Sequence, residues 1–417
     1  MEKKEKEEEQ RQPAAAEILS RVGSQLQQQA GYRTGKRNKA EDKPPESLWD
    51  DLLPEIHREI LSRVPYRSLC RFRCVCKAWL ALCSDPAVRR RSPQTLSGFF
   101  CYGGQRREGL SFLNLSGRGR PLVDDPSLRF VRGYHDVKPM HCCGGILICH
   151  CLKAAMSEEA DYVVCNPATE EIWAVLPVPP KRLMTFNTAR LCFDPAIPHC
   201  FKVFMFMQRF DEIQRVEVSS SETGQWTSMR SEWSYDTLFI GDDSQCVFFN
   251  DTLHLVADDC MIGLDQERKV IRSMVTVDTE GKTWRSIRMP DDFHNGSIGQ
   301  SQGRIYATCL ENGDDCCLSV WVLEDYASGV WTLKCTANIP ELLGRPHRRR
   351  SELYTLVAIH PECSLIYLAG GARLENTLMS YDMDSGELHV ICALGNRQPR
   401  RFQPYIPCFA EKPHIAQ

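Results

Sequence analysis

The amino-acid sequence predicts two folded parts, a small all-α module and then an all-β propeller of six to eight blades, preceded by a disordered polar tail. Three observations carry this. Helical periodicity is confined to about forty residues near the start, strand-length apolar runs fill the rest, and a tryptophan recurs at one place in a repeated unit.

At 417 residues the chain is too long for one compact core, and 42% hydrophobic with 25% charged residues is ordinary for a soluble globular protein. A formal net charge of -3 gives no reason to expect nucleic acid or an anionic membrane as a partner of the whole. No run of about 18 uncharged apolar residues exists, so a spanning helix is not expected. Met1 to Gln12 are mostly Lys, Glu and Gln, without the apolar core of a secretory leader. The 21 cysteines are then expected to be free thiols in the reducing cytoplasm or nucleus, most of them small hydrophobes inside apolar runs.

Residues 1–47 are polar and nearly free of aromatics. Such a segment cannot bury enough apolar surface to offset its ordering entropy, and it reads as a disordered tail. The module at 48–95 begins with Pro54 in a first helical turn and Glu55 beside it, where a carboxylate complements the helix dipole. Ile56, Ile60 and Val64 recur every fourth residue with Leu61 adjacent, and Pro65 closes the helix. Leu69, Phe72, Cys76 and Trp79 continue at spacings of three and four until Asp85-Pro86. These short helices carry more apolar face than they can bury among themselves, which implies a partner.

From 96 to 417, apolar runs alternate with Gly, Asp, Asn and Pro clusters. The repeat is a strand, a polar turn, a Trp and another strand. It reads Tyr162 to Trp173, Val216 to Trp226, Met274 to Trp284 and Val320 to Trp331; a fifth copy, Met379 to Leu388, has Leu for Trp. A period of about 50 residues is that of a four-stranded, kelch-type propeller blade. Gly224 and Gly329 are expected to supply positive φ in the turns, and each Trp to fill the interface between neighbouring sheets.

The sequence offers no catalytic or metal site and no cofactor motif. His141, Cys142, Cys143, Cys149, His150 and Cys151 form the densest ligand group, but adjacent strand residues point to opposite faces, so core thiols are expected there rather than zinc. The acidic pairs read as solvated turns. No phosphate loop and no nucleophile elbow occur. The basic run Arg345, Arg348, Arg349 and Arg350 suits acidic or phosphorylated peptides and is a candidate substrate surface.

Leu53-Pro54 through Ile60-Leu61 and Val64-Pro65, then Ser68-Leu69, Phe72-Arg73, Val75-Cys76-Lys77 and Trp79, closely resemble the plant F-box motif. The commonest spacing of that motif has one more residue between its opening Leu-Pro and the Ile-Leu pair, which leaves the register of Leu52, Leu53 and Pro54 open. Asn166-Pro167, Phe193-Asp194-Pro195 with Phe201-Lys202-Val203, and Ile359-His360-Pro361-Glu362 resemble the F-box-associated propeller of the same plant family.

The resemblance implies a non-catalytic substrate receptor of an SCF-type (Skp–cullin–F-box) ubiquitin ligase. The module would dock a Skp-family adaptor and, through it, a cullin and a RING protein; the propeller would hold a protein substrate. Carried over by position, the adaptor-facing residues are Leu53, Pro54, Ile60, Leu61, Leu69, Val75 and Cys76, with Ile56, Val64, Phe72 and Trp79 holding the helices together. A propeller scaffold or enzyme with a vestigial F-box is the competing reading.

Overall fold

The computed structural model describes residues 54–412 apart from 93–95, 103–109, 116–122, 124, 156–158, 179–184, 199, 210–211, 230–237, 242–244, 260–270, 294–295, 313–314, 346–351, 373–374, 396–399 and 411. The tail expected at 1–47 therefore lies outside the described residues.

Among the described residues four short helices come first: α1 (Pro54–Leu61), α2 (Tyr66–Phe72), α3 (Lys77–Ser84) and α4 (Pro86–Arg91). The sequence reading had three. The Asp85-Pro86 pair ends α3, as read, but it also starts a fourth helix: the Asp85 carboxylate accepts from the Ala87 N–H at 2.9 Å while Pro86 sits where no N–H is needed. One apolar core joins the four, built from Leu61, Leu69, Cys83 and Val88 with Val64, Phe72, Trp79 and Leu82 around them. Phe72 and Trp79 meet edge to face at 5.3 Å.

Six antiparallel sheets follow. Blade I holds β1 (Gly98–Tyr102) and β2 (Leu110–Asn114); blade II is β3 to β6 (Asp136–Cys143, Ile146–Leu152, Ala160–Asn166, Glu171–Pro177). Blade III is β7 to β10 (Thr185–Phe193, Phe201–Arg209, Glu212–Ser220, Trp226–Met229). Blade IV is β11 to β15 (Leu238–Phe239, Cys246–Phe249, Thr252–Asp259, Ile271–Asp278, Trp284–Arg288). Blade V is β16 to β19 (Ser297–Ser301, Arg304–Glu311, Cys317–Asp325, Val330–Asn338), which leads into the single-turn helix α5 (Ile339–Leu342). Blade VI is β20 to β23 (Leu353–Ile359, Leu365–Gly371, Asn376–Asp382, Leu388–Gly395). The last strand, β24 (Arg400–Tyr405), returns to pair with β1 in blade I. Strands β24, β3, β7, β12, β16 and β20 neighbour one another in turn and close a ring. The propeller thus has six blades, and the ring is fastened by pairing the last strand with the first.

The repeated unit explains the radial packing. Trp226, Trp284 and Trp331 each pack toward the preceding blade. Trp173 is fully buried toward the following one, against Phe193 at 5.4 Å and Phe201 at 6.3 Å. The difference has a local cause: Val164 pairs with Ala174 and Cys165 with Ile172, so Trp173 is the extra residue of a β-bulge and the alternation of side chains shifts there. The turn glycines adopt positive φ as expected, +63° at Gly224 and +71° at Gly329. In blade II the same corner is held by Glu170, at φ +56°.

An antiparallel meander puts successive turns at opposite ends of the sheet. Gly144-Gly145 and Asn166 lie at one end of blade II, the same end at which β24 finishes and β1 begins, since a Cβ on Gly145 would meet the Ile406 carbonyl and Ser97 donates to the Tyr405 carbonyl at 3.0 Å. The helices therefore join the ring at this near face. The connections 260–270 and 339–352 both leave strands at the far face, whereas the longest, 115–135, leaves β2 at the near face.

Candidate partner-binding surface

Helix α1 offers two apolar stripes side by side, and the structure chooses between them. His57, Leu61 and Val64 turn inward, while Ile56 and Ile60, one turn apart, are each 41% exposed. This corrects the sequence reading twice. Ile56 is outside rather than in the core, and Leu61 (1% exposed) and Leu69 (0%) are inside rather than on a docking face. The reason is packing: α1 and α2 close over α3 and α4, and the residues at the crossing are 61, 69, 83 and 88. Val64, Phe72 and Trp79 pack around that core.

What stays outside is still apolar. Val75 is 63% exposed and Leu80 is 42% exposed, and Cys74 and Cys76 are exposed with them. Val75 and Cys76 form the turn between α2 and α3, and Leu80 lies one turn into α3. With Ile56 and Ile60 these are the exposed apolar side chains of a module whose own core is already filled. Leu53 lies outside the described residues, and Pro54 begins α1.

Polar contacts hold the module. Glu59 accepts from Arg63 at 2.7 Å and from Arg91 at 2.7 Å, and those bonds, Arg63 first, hold its carboxyl below the usual range. Arg58 pairs with Asp85 at 3.0 Å, tying α1 to the α3–α4 corner. The Ser92 hydroxyl donates to the Val64 carbonyl. These are exposed or terminal contacts, each worth little alone, and they orient helices whose cohesion comes from the buried cluster.

In the propeller, the ligand group read from the sequence is dispersed. Cys149 and Cys151 are buried between blades I and II. His141 takes the Leu191 N–H on Nδ1 at 3.1 Å, so its proton sits on Nε2, facing the Cys246 sulfur at 3.0 Å. Burial, and then the charge of Arg190, lower its pKa to about 3, so the ring is neutral. Cys143 donates its S–H to the Phe193 carbonyl at 3.4 Å, and burial pushes its thiol well above the usual range. Such thiols are structural rather than nucleophilic. Among the described residues no group of three or more His, Cys, Asp or Glu could hold a metal, and the described cysteines are free thiols. The six inner strands enclose an axial cavity of about 790 Å³.

Arg345 lies on the far-face connection after α5, but it is drawn inward. Its guanidinium pairs with the buried Glu352 carboxylate and donates to the Tyr354 hydroxyl at 3.2 Å. Arg348, Arg349 and Arg350 lie outside the described residues.

The three family hallmarks prove to be turn devices. Asn166 donates from Nδ2 to the Cys408 carbonyl at 2.9 Å and accepts from the Ala168 N–H at 3.0 Å. Asp194 accepts from the Ala196 N–H at 2.8 Å. His360 Nδ1 accepts from the N–H groups of Glu362 and Cys363, both at 3.0 Å.

A family model for the F-box domain matches residues 49–91, and the model described as "F-box protein At3g26010-like, beta-propeller" matches residues 129–401. The chain belongs to this F-box propeller family. It is similar to the F-box protein At5g07610 of Arabidopsis thaliana, 26% identical over 318 residues that cover 71% of this chain and 73% of the relative. It is also similar to the F-box protein At5g49610 of that plant, 27% identical over 306 residues covering 67% and 77%. The F-box/kelch-repeat protein At4g05080 is 31% identical over 166 residues, 38% of this chain and 39% of its own. An F-box ahead of a kelch-like propeller is the architecture typical of SCF substrate-recognition subunits. Among the described residues no helix is long and apolar enough to cross a membrane.

Proposed function

We propose that this F-box protein is the substrate-recognition subunit of an SCF-type ubiquitin ligase. Its helices dock a Skp-family adaptor that joins it to a cullin and a RING protein in the cytoplasm or nucleus, and its propeller presents a target protein for ubiquitination. The observation that carries the reading is the exposure of Ile56, Ile60, Val75 and Leu80 on a module whose interior is already occupied by Leu61, Leu69, Cys83 and Val88. An aliphatic surface of that kind on a unit of some forty residues is stabilised by covering it with a second protein.

The topology supports this division of labour. The helices join the propeller at the near face, where Cys408 lies within electrostatic reach of Cys70 and Arg89. The far face carries the long connections 260–270 and 339–352 and is the surface we assign to the substrate. No catalytic role is assigned to either part.

The test is co-purification with a Skp-family adaptor, comparing the intact chain with Ile60→Asp combined with Val75→Asp. Both positions are exposed, so the variant is expected to keep its helices and lose the adaptor. A wild-type chain that stays monomeric and ignores the adaptor would overturn the reading.

A further inference from the structure

The helices differ in charge from the rest of the chain. Between Pro54 and Ser92 the sequence holds nine Lys or Arg against three Asp or Glu, a net of +6, in a protein whose total is -3. The distribution is more uneven still. From Ile60 to Ser84 there is no carboxylate at all, while Arg63, Arg67, Arg71, Arg73 and Lys77 fall in that stretch. The three acidic residues lie at its two ends, and two of them are taken: Glu59 holds Arg63 and Arg91, and Asp85 holds Arg58. Arg71 and Lys77 are exposed, stand on either side in sequence of Val75, the most exposed large apolar side chain of the helices, and form no ion pair among the described residues.

Exposed aliphatic side chains close in sequence to cations with no ion-pair partner among the described residues select for a surface of the opposite kind. Resting on the docking reading above, we propose that the adaptor receives Val75 and Leu80 in an apolar groove with an acidic rim, and that Arg71 and Lys77 steer the encounter and fix its orientation. The aliphatic side chains supply the area removed from water, which sets how long the complex lasts. The rim charges act mainly before contact: they raise the association rate by long-range attraction and are screened by salt, with a Debye length of about 10 Å at 0.1 M falling to about 3 Å at 1 M. A basic surface also attracts phosphate polymers and anionic lipid. The exposed apolar residues here are aliphatic, however, with no exposed aromatic among Ile56, Ile60, Val75 and Leu80 on which bases would stack, which favours a protein.

The experiment measures association and dissociation rates of the full chain with a purified Skp-family adaptor at 50 mM and 500 mM salt. For Arg71→Glu combined with Lys77→Glu, the association rate is expected to fall about tenfold or more at the lower salt and less than about threefold at the higher, with dissociation little changed. Arg71→Gln with Lys77→Gln should fall between, and circular dichroism checks that the helices persist. Val75→Asp, by contrast, should speed dissociation at both salts. Equal rates for wild type and both charge variants at 50 mM would overturn the steering proposal while leaving adaptor docking intact. No adaptor binding by the wild-type chain at either salt would instead remove the docking reading and this proposal with it. Vesicles containing phosphatidylserine serve as the competing arm: capture by them that depends on Arg71 and Lys77, with adaptor kinetics unmoved by the same changes, would assign the charge to lipid and overturn the proposal.

Discussion

Asn166 and Cys408, 242 residues apart in the chain, are joined by a hydrogen bond of 2.9 Å from the Asn166 side-chain amide to the Cys408 carbonyl. The same carboxamide oxygen accepts from the Ala168 N–H, so one buried side chain shapes the β5–β6 turn and pins the segment that follows β24. That segment lies just beyond the pairing of β24 with β1 that closes the ring. Asn166→Ala removes one partner from two buried bonds, so a loss of about 1–3 kcal/mol is expected, read as a lower midpoint in urea unfolding of the propeller. Asn166→Asp keeps the turn acceptor but not the donor, and should lose a comparable amount.

Glu170 and Gly329 make a matched pair of backbone tests. Both occupy the positive-φ corner of the repeated turn, at +56° and +71°. Glu170→Gly relieves a left-handed conformation that costs an ordinary residue about 1–2 kcal/mol, partly offset by the extra freedom of unfolded glycine. A gain of about 0.5–1 kcal/mol in unfolding free energy is expected. Gly329→Ala goes the other way, because its Cβ would also sit 3.0 Å from the Ile287 side chain of the preceding blade.

Trp173 should be the most costly of the repeated tryptophans to truncate. It is fully buried against Phe193 and Phe201, so Trp173→Ala is expected to cost about 3–5 kcal/mol. Its indole N–H has no hydrogen-bond partner among the described residues, so Trp173→Phe should cost well under half of that. Trp331 is half-exposed and donates to the Arg288 carbonyl at 3.1 Å, and its truncation to Ala should cost less than that of Trp173. Chemical denaturation of the three variants checks the order.

Inward and outward positions of the helices should separate cleanly. Leu69→Ala is expected to cost about 2–5 kcal/mol, seen as lost helical signal at 222 nm, and any loss of adaptor binding would follow from unfolding. Ile60→Ala leaves the helical signal unchanged and weakens adaptor binding alone. Equal losses of helix in both variants would contradict the assignment of the two stripes.

Acid should weaken the propeller through its buried imidazoles. Burial lowers the pKa of His141 to about 3 and that of His254 to about 4, below the ordinary value of 6.5. Between the folded and unfolded values the unfolded chain binds more protons, so stability is full above about pH 6.5 and declines as pH falls toward 4. The melting temperature is expected to be lower at pH 5 than at pH 7.5. His141→Gln, which keeps an acceptor for the Leu191 N–H, should flatten that slope, and an unchanged slope would contradict the assignment.

The helical module and the repeat were legible because each rests on local rules. The periodicity from Ile56 to Trp79 specifies helices, and the turn glycines with their tryptophans specify stacked sheets. The faces of the helices were not legible. Ile56-Ile60 and His57-Leu61-Val64 are neighbouring stripes, and periodicity alone gives no preference for the one that turns inward. Arg345 was likewise read as a surface charge, because its partner Glu352 is separated from it by six residues and meets it only when the connection folds back.

By itself the sequence determined the order of the parts, the kind of secondary structure in each, the residue types at the turns and the clustering of positive charge between Ile60 and Ser84. All of these depend on neighbours within a few residues. Only the tertiary structure decided the blade number, the closure of β24 on β1, the inward turn of Leu61 and Leu69, and the exposure of Ile56. Those outcomes depend on which distant segments meet, and packing energy between residues far apart in sequence leaves no local periodic trace.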